Sequence, residues 1–326
     1  MNHGIFTISL DFELHWGQFD KIDVSKNIKY FDNTLHVIPK MLSLFEQNNI
    51  EVTWATVGLL FCKSIKDLKE RRPQYLAAYN NPKVSAYHYV DTQYNDKYAR
   101  FYFAQDLIKK IQNTKGQELA THTYAHYYCL EKGHTKQAFD ADLKSASKIS
   151  ESFGVSNKSI VMPRNQFNPS DCDVINNNNI VVIRTNPDSW CWNFDFKINI
   201  LKKIARSADC YLPLFKTHYS LASKKLHNGL LLLPASRFFK PLHKVSILNK
   251  FRLRRIKNEM TKAAKSNSCY HLWWHPHNFG INPSLAMEEL EVIINHFNFL
   301  NKTYNMKSKS MISTYDLILK NKETYT

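Results

Sequence analysis

No apolar run in this chain approaches the roughly 20 residues that a bilayer span requires, so no transmembrane helix is expected. The first residues, Met1 to Asp11, carry neither a charged leader nor a small-residue cleavage site, and they read as a first strand, not as a signal peptide. The six cysteines (Cys62, Cys129, Cys172, Cys191, Cys210, Cys269) include no Cys-x-x-Cys pair. That speaks against a thiolate zinc site and leaves reduced thiols in a cytosolic protein as the simplest account. Acids are scarce: 28 Asp and Glu stand against 44 Lys and Arg, a formal net charge of +16. Such an excess favours nucleic acid, an anionic membrane surface or a phosphorylated substrate, although a general bias toward Asn and Lys would produce it equally well. Linkers and repeats are also missing, so residues 1–326 are expected to form one domain.

What is present is globular. Hydrophobic residues make up 44% and charged residues 22% of the chain, which excludes disordered and fibrous classes. Ile5 to Leu10 is a run of β-formers that stops at Asp11-Phe12-Glu13. Leu35, Ile38, Met41, Leu42 and Phe45 recur at helical spacing, and a second strand follows at Glu51 to Val57. Residues from about 63 to 100 break this rhythm and are expected to form a helical insertion. Helices are then expected at Ala99 to Thr114, Ala138 to Phe153 and Ser284 to Tyr304, and strands at Ser159 to Met162, Ile180 to Thr185, Gly229 to Leu233, Tyr270 to Trp274 and Ser310 to Thr314. Strands alternating with helices, with polar residues where the strands end, predict a parallel α/β barrel whose active face is built from strand carboxyl ends.

Three of those ends carry groups suited to metal or acid–base chemistry: Asp11 with Glu13, His122 with His126, and His275 with His277. If the segment around His122 makes a helical turn, the two imidazoles share a face and can converge on one ion. A bare His-x-x-x-His is weak by itself, because fourteen histidines pair at that spacing by chance. Glu13 would complete a two-histidine, one-carboxylate shell with an open position, and Asp11 can face the same crevice while Phe12 points into the core. In such a site a carboxylate takes a proton from water during attack on a carbonyl, and a histidine on the opposite side, His275, protonates the departing amine. Each piece also has a structural reading: Asp11-x-Glu13 as a cap, the two tryptophans before His275 as core, and Arg164 as a surface turn residue.

In order along the chain, Ser9-Leu10-Asp11-Phe12-Glu13, Thr53-Trp54-Ala55-Thr56-Val57-Gly58, Thr121-His122-Thr123-Tyr124-Ala125-His126, Pro163-Arg164-Asn165-Gln166-Phe167 and Leu272-Trp273-Trp274-His275 resemble the polysaccharide deacetylase (NodB-homology) family of carbohydrate esterases. The resemblance spans Phe6 to about Phe279. It implies a distorted (β/α) barrel and metal-dependent hydrolysis of an N-acyl group on an amino sugar, with one divalent ion, expected to be Zn2+. Residue by residue, it implies Asp11 as catalytic base, His122 and His126 as metal ligands, Arg164 as the arginine that orients the base, and His275 as catalytic acid. The family commonly has adjacent aspartates where this chain has Asp11-Phe12, so the third ligand passes to Glu13. Arg164-Asn165-Gln166 also stands where the family has Arg-x-Pro-x-Gly, which leaves loop shape and substrate contacts there open, Asn165 among them. Trp190, near Asp188, is the candidate for a tryptophan supporting His275. His277 competes with His275 and is retained as a supporting or substrate contact; His15 is expected either to line the pocket or to face solvent.

The basic stretch at about 240–265 keeps an apolar stripe (Leu248, Phe251, Ile256, Met260, Ala263), so it reads as a helix packed on the barrel whose other face is either merely solvated or turned to an anionic membrane or a phosphate-bearing sugar donor. With no secretion signal read, the expected location is the cytoplasm, at most peripheral to the inner membrane face, and the expected partner is a nucleotide- or lipid-linked amino-sugar precursor of a surface glycan. A catalytically silent carbohydrate-binding relative is the alternative. A nucleic-acid-binding protein would explain the charge, but no reading motif is present and strand-end acids would repel phosphate.

Overall fold

In the computed structural model of the chain, the described residues are 2–187, 189–192, 200–212, 215, 217–221, 226, 227 and 229–323. Ten strands form one sheet: β1 (Ile5–Phe12), β2 (Val52–Thr56), β3 (Gln117–Thr121), β4 (Ser159–Val161), β5 (Val182–Thr185), β6 (Leu226–His227), β7 (Leu230–Pro234), β8 (Arg237–Phe238), β9 (Cys269–Trp274) and β10 (Lys307–Ser308). The helices are α1 (Ile28–Gln47), α2 (Ile65–Glu70), α3 (Ala86–Thr92), α4 (Gln105–Asn113), α5 (Lys136–Glu151), α6 (Cys172–Asn177), α7 (Ile200–Asp209), α8 (Ser246–Lys265), α9 (Pro283–Tyr304) and α10 (Met311–Glu323).

The strand order is β6-β7-β5-β4-β3-β2-β1-β9-β8, with β10 added beside β1, and every ladder except β6–β7 is parallel. Although the ladders form an open path, its two sides meet in one run of chain. Leu231 to Pro234 pair with β5, and Arg237 and Phe238, three residues on, pair with β9. Between them, the Ala235 amide donates to Thr185 O and the Ser236 amide to His271 O, each at 2.8 Å. The architecture is thus the distorted α/β barrel that the alternation of elements predicts, with strand carboxyl ends on one face.

β1 lies inside this sheet, between β2 and β9, and all eight of its residues are buried. Its alternation sends Phe12 outward against Trp54, edge to face at 6.1 Å, a contact that adds about 0.5–1.5 kcal/mol beyond the area buried. The same alternation sends Ser9 and Asp11 into the barrel. Residues 63–100 carry the short helices α2 and α3 and single 3-10 turns.

Two expectations about elements fail. Residues 310–314 are not a strand: β10 is only Lys307–Ser308, and Ser310 starts α10, accepting the Ser313 amide on its hydroxyl and the Thr314 amide on its carbonyl. The helix expected from Ala99 shrinks to α4, because Asp96–Phe101 makes a kinked 3-10 turn instead.

Candidate metal centre and active site

Glu13 follows the last residue of β1 and heads a 3-10 turn at Leu14–Gly17, yet its side chain caps nothing in that turn. It lies back over Gly17, where a Cβ would sit 1.9 Å from Glu13 Oε1, so only glycine leaves room for the carboxylate. Glu13 Oε2 stands 3.3 Å from His122 Nε2 and 3.0 Å from His126 Nε2. All three side chains are buried, and their donor atoms lie within 4.8 Å of one another.

The histidine segment is not a helical turn. Thr123 and His126 both adopt left-handed backbone (φ 63° and 55°), a conformation unfavourable for a β-branched residue, and such strain persists only where surrounding structure fixes it. Here the fixing group is Asp142 of α5, whose buried carboxylate accepts the amides of Tyr124 (2.6 Å) and Ala125 (3.1 Å). Burial raises the Asp142 pKa to about 7 despite those bonds. Thr123 Oγ1 adds a bond from the Tyr127 amide, and the carbonyls of Thr123 and Tyr124 accept the amides of Gly58 and Leu59.

These contacts also orient the imidazoles. His122 Nδ1 is 2.8 Å from Val161 O, and a carbonyl can only accept, so Nδ1 carries the proton and Nε2 is a bare lone pair. That Nε2 is buried and has no hydrogen-bond partner. His126 is held at Nδ1 by Tyr128 Oη, 2.9 Å away. Burial lowers the His126 pKa to about 4, outweighing its bond to Glu13. Burial alone would raise the Glu13 pKa, but the charge of His275 and the adjacent imidazoles of His122 and His126 hold it well below the ordinary range. A carboxylate facing the His122 lone pair and the His126 Nε2, with each ring anchored through its other nitrogen, is a donor set that fits a divalent cation.

Asp11 lies beside this group. Its partner is not Arg164. Arg184 of β5 reaches across the barrel interior and forks onto both carboxylate oxygens at 2.6 and 2.8 Å. Ser9 Oγ (3.0 Å), Asn165 Oδ1 (2.8 Å) and the face of Trp273 (4.3 Å) hold the guanidinium in place. Burial pushes the Asp11 pKa up, but Arg184, with His122 and His275, brings it below its ordinary value. Arg164 instead pairs with Asp20 and stacks on the Tyr128 ring at 4.4 Å. Its placement follows from the loop: Arg164 and Asn165 take consecutive left-handed conformations (φ 53° each), which turn Asn165 inward and Arg164 away from Asp11. A charged residue inside a strand expected to be buried was the available signal for Arg184, since such a group must be paired.

His275 Nε2 is 3.6 Å from both Asp11 Oδ2 and Glu13 Oε1, and its side chain is 23% exposed, open to an incoming substrate. Trp273 and Phe238 set their edges against it at 5.6 and 5.7 Å. His277 stacks on it at 4.8 Å but is buried, and it accepts the Gln18 amide at Nε2 (2.6 Å). Burial, then the charge of His275, lowers the His277 pKa to about 3. The expected tryptophan support does not come from Trp190, which is 53% exposed and sets its edge against Phe215; Asp188 lies outside the described residues. Nor does His15 line the pocket or face solvent. The 3-10 turn carries it into the core among Phe31, Tyr89 and Tyr102, with Nε2 bonded to Ile22 O, and burial lowers its pKa to about 4.

No protein-family model matches the chain, and no curated protein matches it. Its fold is similar to solved structures at low sequence identity. A protein from Mycobacterium smegmatis assigned as a polysaccharide deacetylase superposes with a TM-score of 0.62 at 12% identity, covering 99% of this chain and 92% of that one. A second such assignment, from Pseudomonas aeruginosa PAO1, gives 0.54 at 11% identity over 96% and 89%. Puue allantoinase gives 0.55 at 9% identity over 95% and 88%. The chain therefore has the fold of the polysaccharide deacetylases, a fold shared with a protein named for different chemistry, so its own function must be argued from its site.

Proposed function

We propose that this chain is a metal-dependent hydrolase that removes an N-acyl group, acetyl in the first instance, from an amino sugar on a nucleotide- or lipid-linked surface-glycan precursor. The observation that carries this reading is the convergence of Glu13, His122 and His126 at the strand ends, with His122 Nε2 buried and unpartnered. These three residues would hold the ion, zinc in our reading. A divalent ion there supplies Lewis-acid polarisation of an acyl oxygen and acidifies water toward a pKa of about 7.

The chain's own residues supply the proton transfers. Asp11, ionised and fixed by the Arg184 fork, accepts the proton of a water whose oxygen bonds to the acyl carbon. Its carboxylate retains free lone pairs for this, since two hydrogen bonds occupy only part of its capacity. His275, open to substrate and 3.6 Å from both carboxylates, donates the proton to the amide nitrogen as the C–N bond breaks. Trp273 and Phe238, packed on each other at 4.5 Å, together support the His275 ring.

A peripheral contact with an anionic membrane belongs to the same reading. In support, Val245, Ile247 and Phe251 are about half exposed beside the exposed Lys244, Lys250 and Arg254. Arg252 and Arg255 cannot contribute: both are buried and paired, with Glu289 and with Asp209 and Glu259 respectively. Among the described residues, no helix is long and apolar enough to cross a membrane.

The test is metal analysis of the purified protein together with acetate release from acetamido-sugar nucleotides and lipid-linked sugars. Metal-dependent release supports the reading. A protein that binds no divalent ion and releases no acetate from any of these substrates overturns it.

A further inference from the structure

A second group of donors lies outside the site described above. Cys129 and His134 sit on the loop after β3, and Asp171 ends the short 3-10 turn before α6. Their sulfur, nitrogen and oxygen ligand atoms lie within 4.8 Å of one another, in a place where Cys129 is 2% and Asp171 1% exposed. We propose that Cys129, His134 and Asp171 form a second, structural metal site for a thiophilic divalent cation such as zinc, tying the loop after β3 to the loop after β4.

Three features support this. Asp171 occupies the N-cap position of α6, where an aspartate ordinarily accepts its own helix's amides, yet its side chain makes no such bond. Its carboxylate faces only the weakly donating Cys129 thiol and His134 Nε2, and neither oxygen has a hydrogen bond of good geometry, a costly state for a buried charge unless a cation neutralises it. The histidine is also prepared. Tyr127 Oη contacts both Thr135 O (3.2 Å) and His134 Nδ1 (3.0 Å), and a carbonyl cannot donate. Both contacts hold together when the hydroxyl proton goes to Thr135 and Nδ1–H donates to the hydroxyl. His134 Nε2 is then a lone pair, 3.2 Å from Asp171 Oδ2. Two acceptors facing one another at that distance repel unless a cation lies between them. Nitrogen and oxygen bound to zinc at about 2.0–2.2 Å at a tetrahedral angle lie roughly 3.3–3.5 Å apart, close to the separation found.

The absence of a Cys-x-x-Cys pair speaks against a thiolate-rich site, but not against one thiolate joined by residues from another loop. Binding replaces the Cys129 S–H proton, which is released to water as the sulfur–metal bond forms. Three protein donors leave one coordination position, and His134, with 14% of its side chain exposed, marks the way in. The loops so joined carry His126 and Tyr128 on one side and Arg164 and Asn165 on the other, and they already touch where the Leu130 amide donates to Gln166 Oε1 at 3.0 Å. The inference is independent of the proposed reaction.

Cobalt substitution tests it, because the Glu13–His122–His126 centre contains no sulfur. Cobalt bound to thiolate gives a near-ultraviolet charge-transfer band. The band is expected in the wild-type protein and in His122→Ala, and its loss is expected in Cys129→Ser. Zinc analysis should show one equivalent fewer in Cys129→Ser and in the near-isosteric Asp171→Asn than in the wild type. Absence of the band from the wild-type cobalt protein, or its persistence in Cys129→Ser, overturns the proposal.

Discussion

Two buried polar clusters in this molecule, each built around a glutamate, balance their donors and acceptors to opposite ends. Under α8, Arg237 forks onto Glu259 at 2.7 and 2.8 Å, Arg255 bonds Glu259 at 2.8 Å and Asp209 at 2.9 Å, and Tyr270 donates to Glu259 at 2.8 Å. Two cations meet two anions there, and each acceptor is met by donors; Arg255 Nη1 alone lacks a partner. At the strand ends, Glu13 faces His122 and His126, and the His122 Nε2 lone pair points unpartnered into the same small volume. The first cluster is complete without a ligand, whereas the second leaves the buried His122 Nε2 without a partner, the place proposed above for a cation. Burial and charge do not distinguish them, but the balance of donors against acceptors does.

Breaking the open cluster should cost function and metal, not fold. His122→Ala is expected to abolish acyl release and metal binding at the Glu13–His122–His126 centre, one equivalent fewer than the wild type, while leaving the urea midpoint of the metal-free protein within the range of surface substitutions. Asp11→Asn should keep stoichiometric metal and lower turnover by about 10²–10⁴-fold, the usual contribution of a general base. Metal retained at full stoichiometry in His122→Ala would sink this side of the comparison.

Breaking the closed cluster should do the reverse. Glu259→Gln leaves Arg237 and Arg255 short of a buried counter-charge, and removing one partner of such a group costs about 3–5 kcal/mol, read by urea denaturation. Metal content of the folded protein should not change. A pH series sharpens the point. Burial would raise the Glu259 pKa, but Arg237 and then Arg255 bring it below the ordinary value. Its stabilisation is therefore fully present above the usual carboxylate range and is lost as pH falls through the depressed value. The acid-side decline in stability should be shallower in Glu259→Gln than in the wild type.

Much of the barrel was legible because its strands are apolar runs that stop at chemistry-bearing residues; Ile5 to Leu10 before Asp11 and Tyr270 to Trp274 before His275 are examples. The side chains at those ends do converge, since parallel strands deliver their carboxyl ends to one face. Spacing alone could not show how His122 and His126 meet. Their approach depends on left-handed backbone at Thr123 and His126 and on Asp142, sixteen residues beyond His126, and a helical turn was the wrong geometry. His15 escaped because a turn that returns to the core looks, in sequence, like one that leaves it. On α8 the stripe of Ile256, Met260 and Ala263 was legible, but the buried arginines escaped because Arg252 and Arg255 count as surface charge until Glu289, Asp209 and Glu259 are placed beside them.

The smallest expected effect separates two arginines that sequence order alone would exchange. Arg184→Lys keeps the charge near Asp11 but loses the planar fork that fixes both of its oxygens, and misplacing a reacting group on this scale costs up to about 10²-fold. The loss should fall on kcat, with metal content unchanged, because Arg184 does not touch Glu13 or the histidines. Arg164→Ala removes an ion pair with Asp20 and a stack on Tyr128, two contacts on the outer side of the loop. Its effect reaches the centre only through Tyr128 and His126, so it should weaken metal affinity by no more than the roughly 10–100-fold typical of residues that support ligands, and leave kcat at saturating metal nearly unchanged. If Arg164→Ala lowered kcat more than Arg184→Lys at saturating metal, Arg164 would have to reach Asp11 in the working enzyme, and the assignment of Arg184 as the residue that fixes the base would fail.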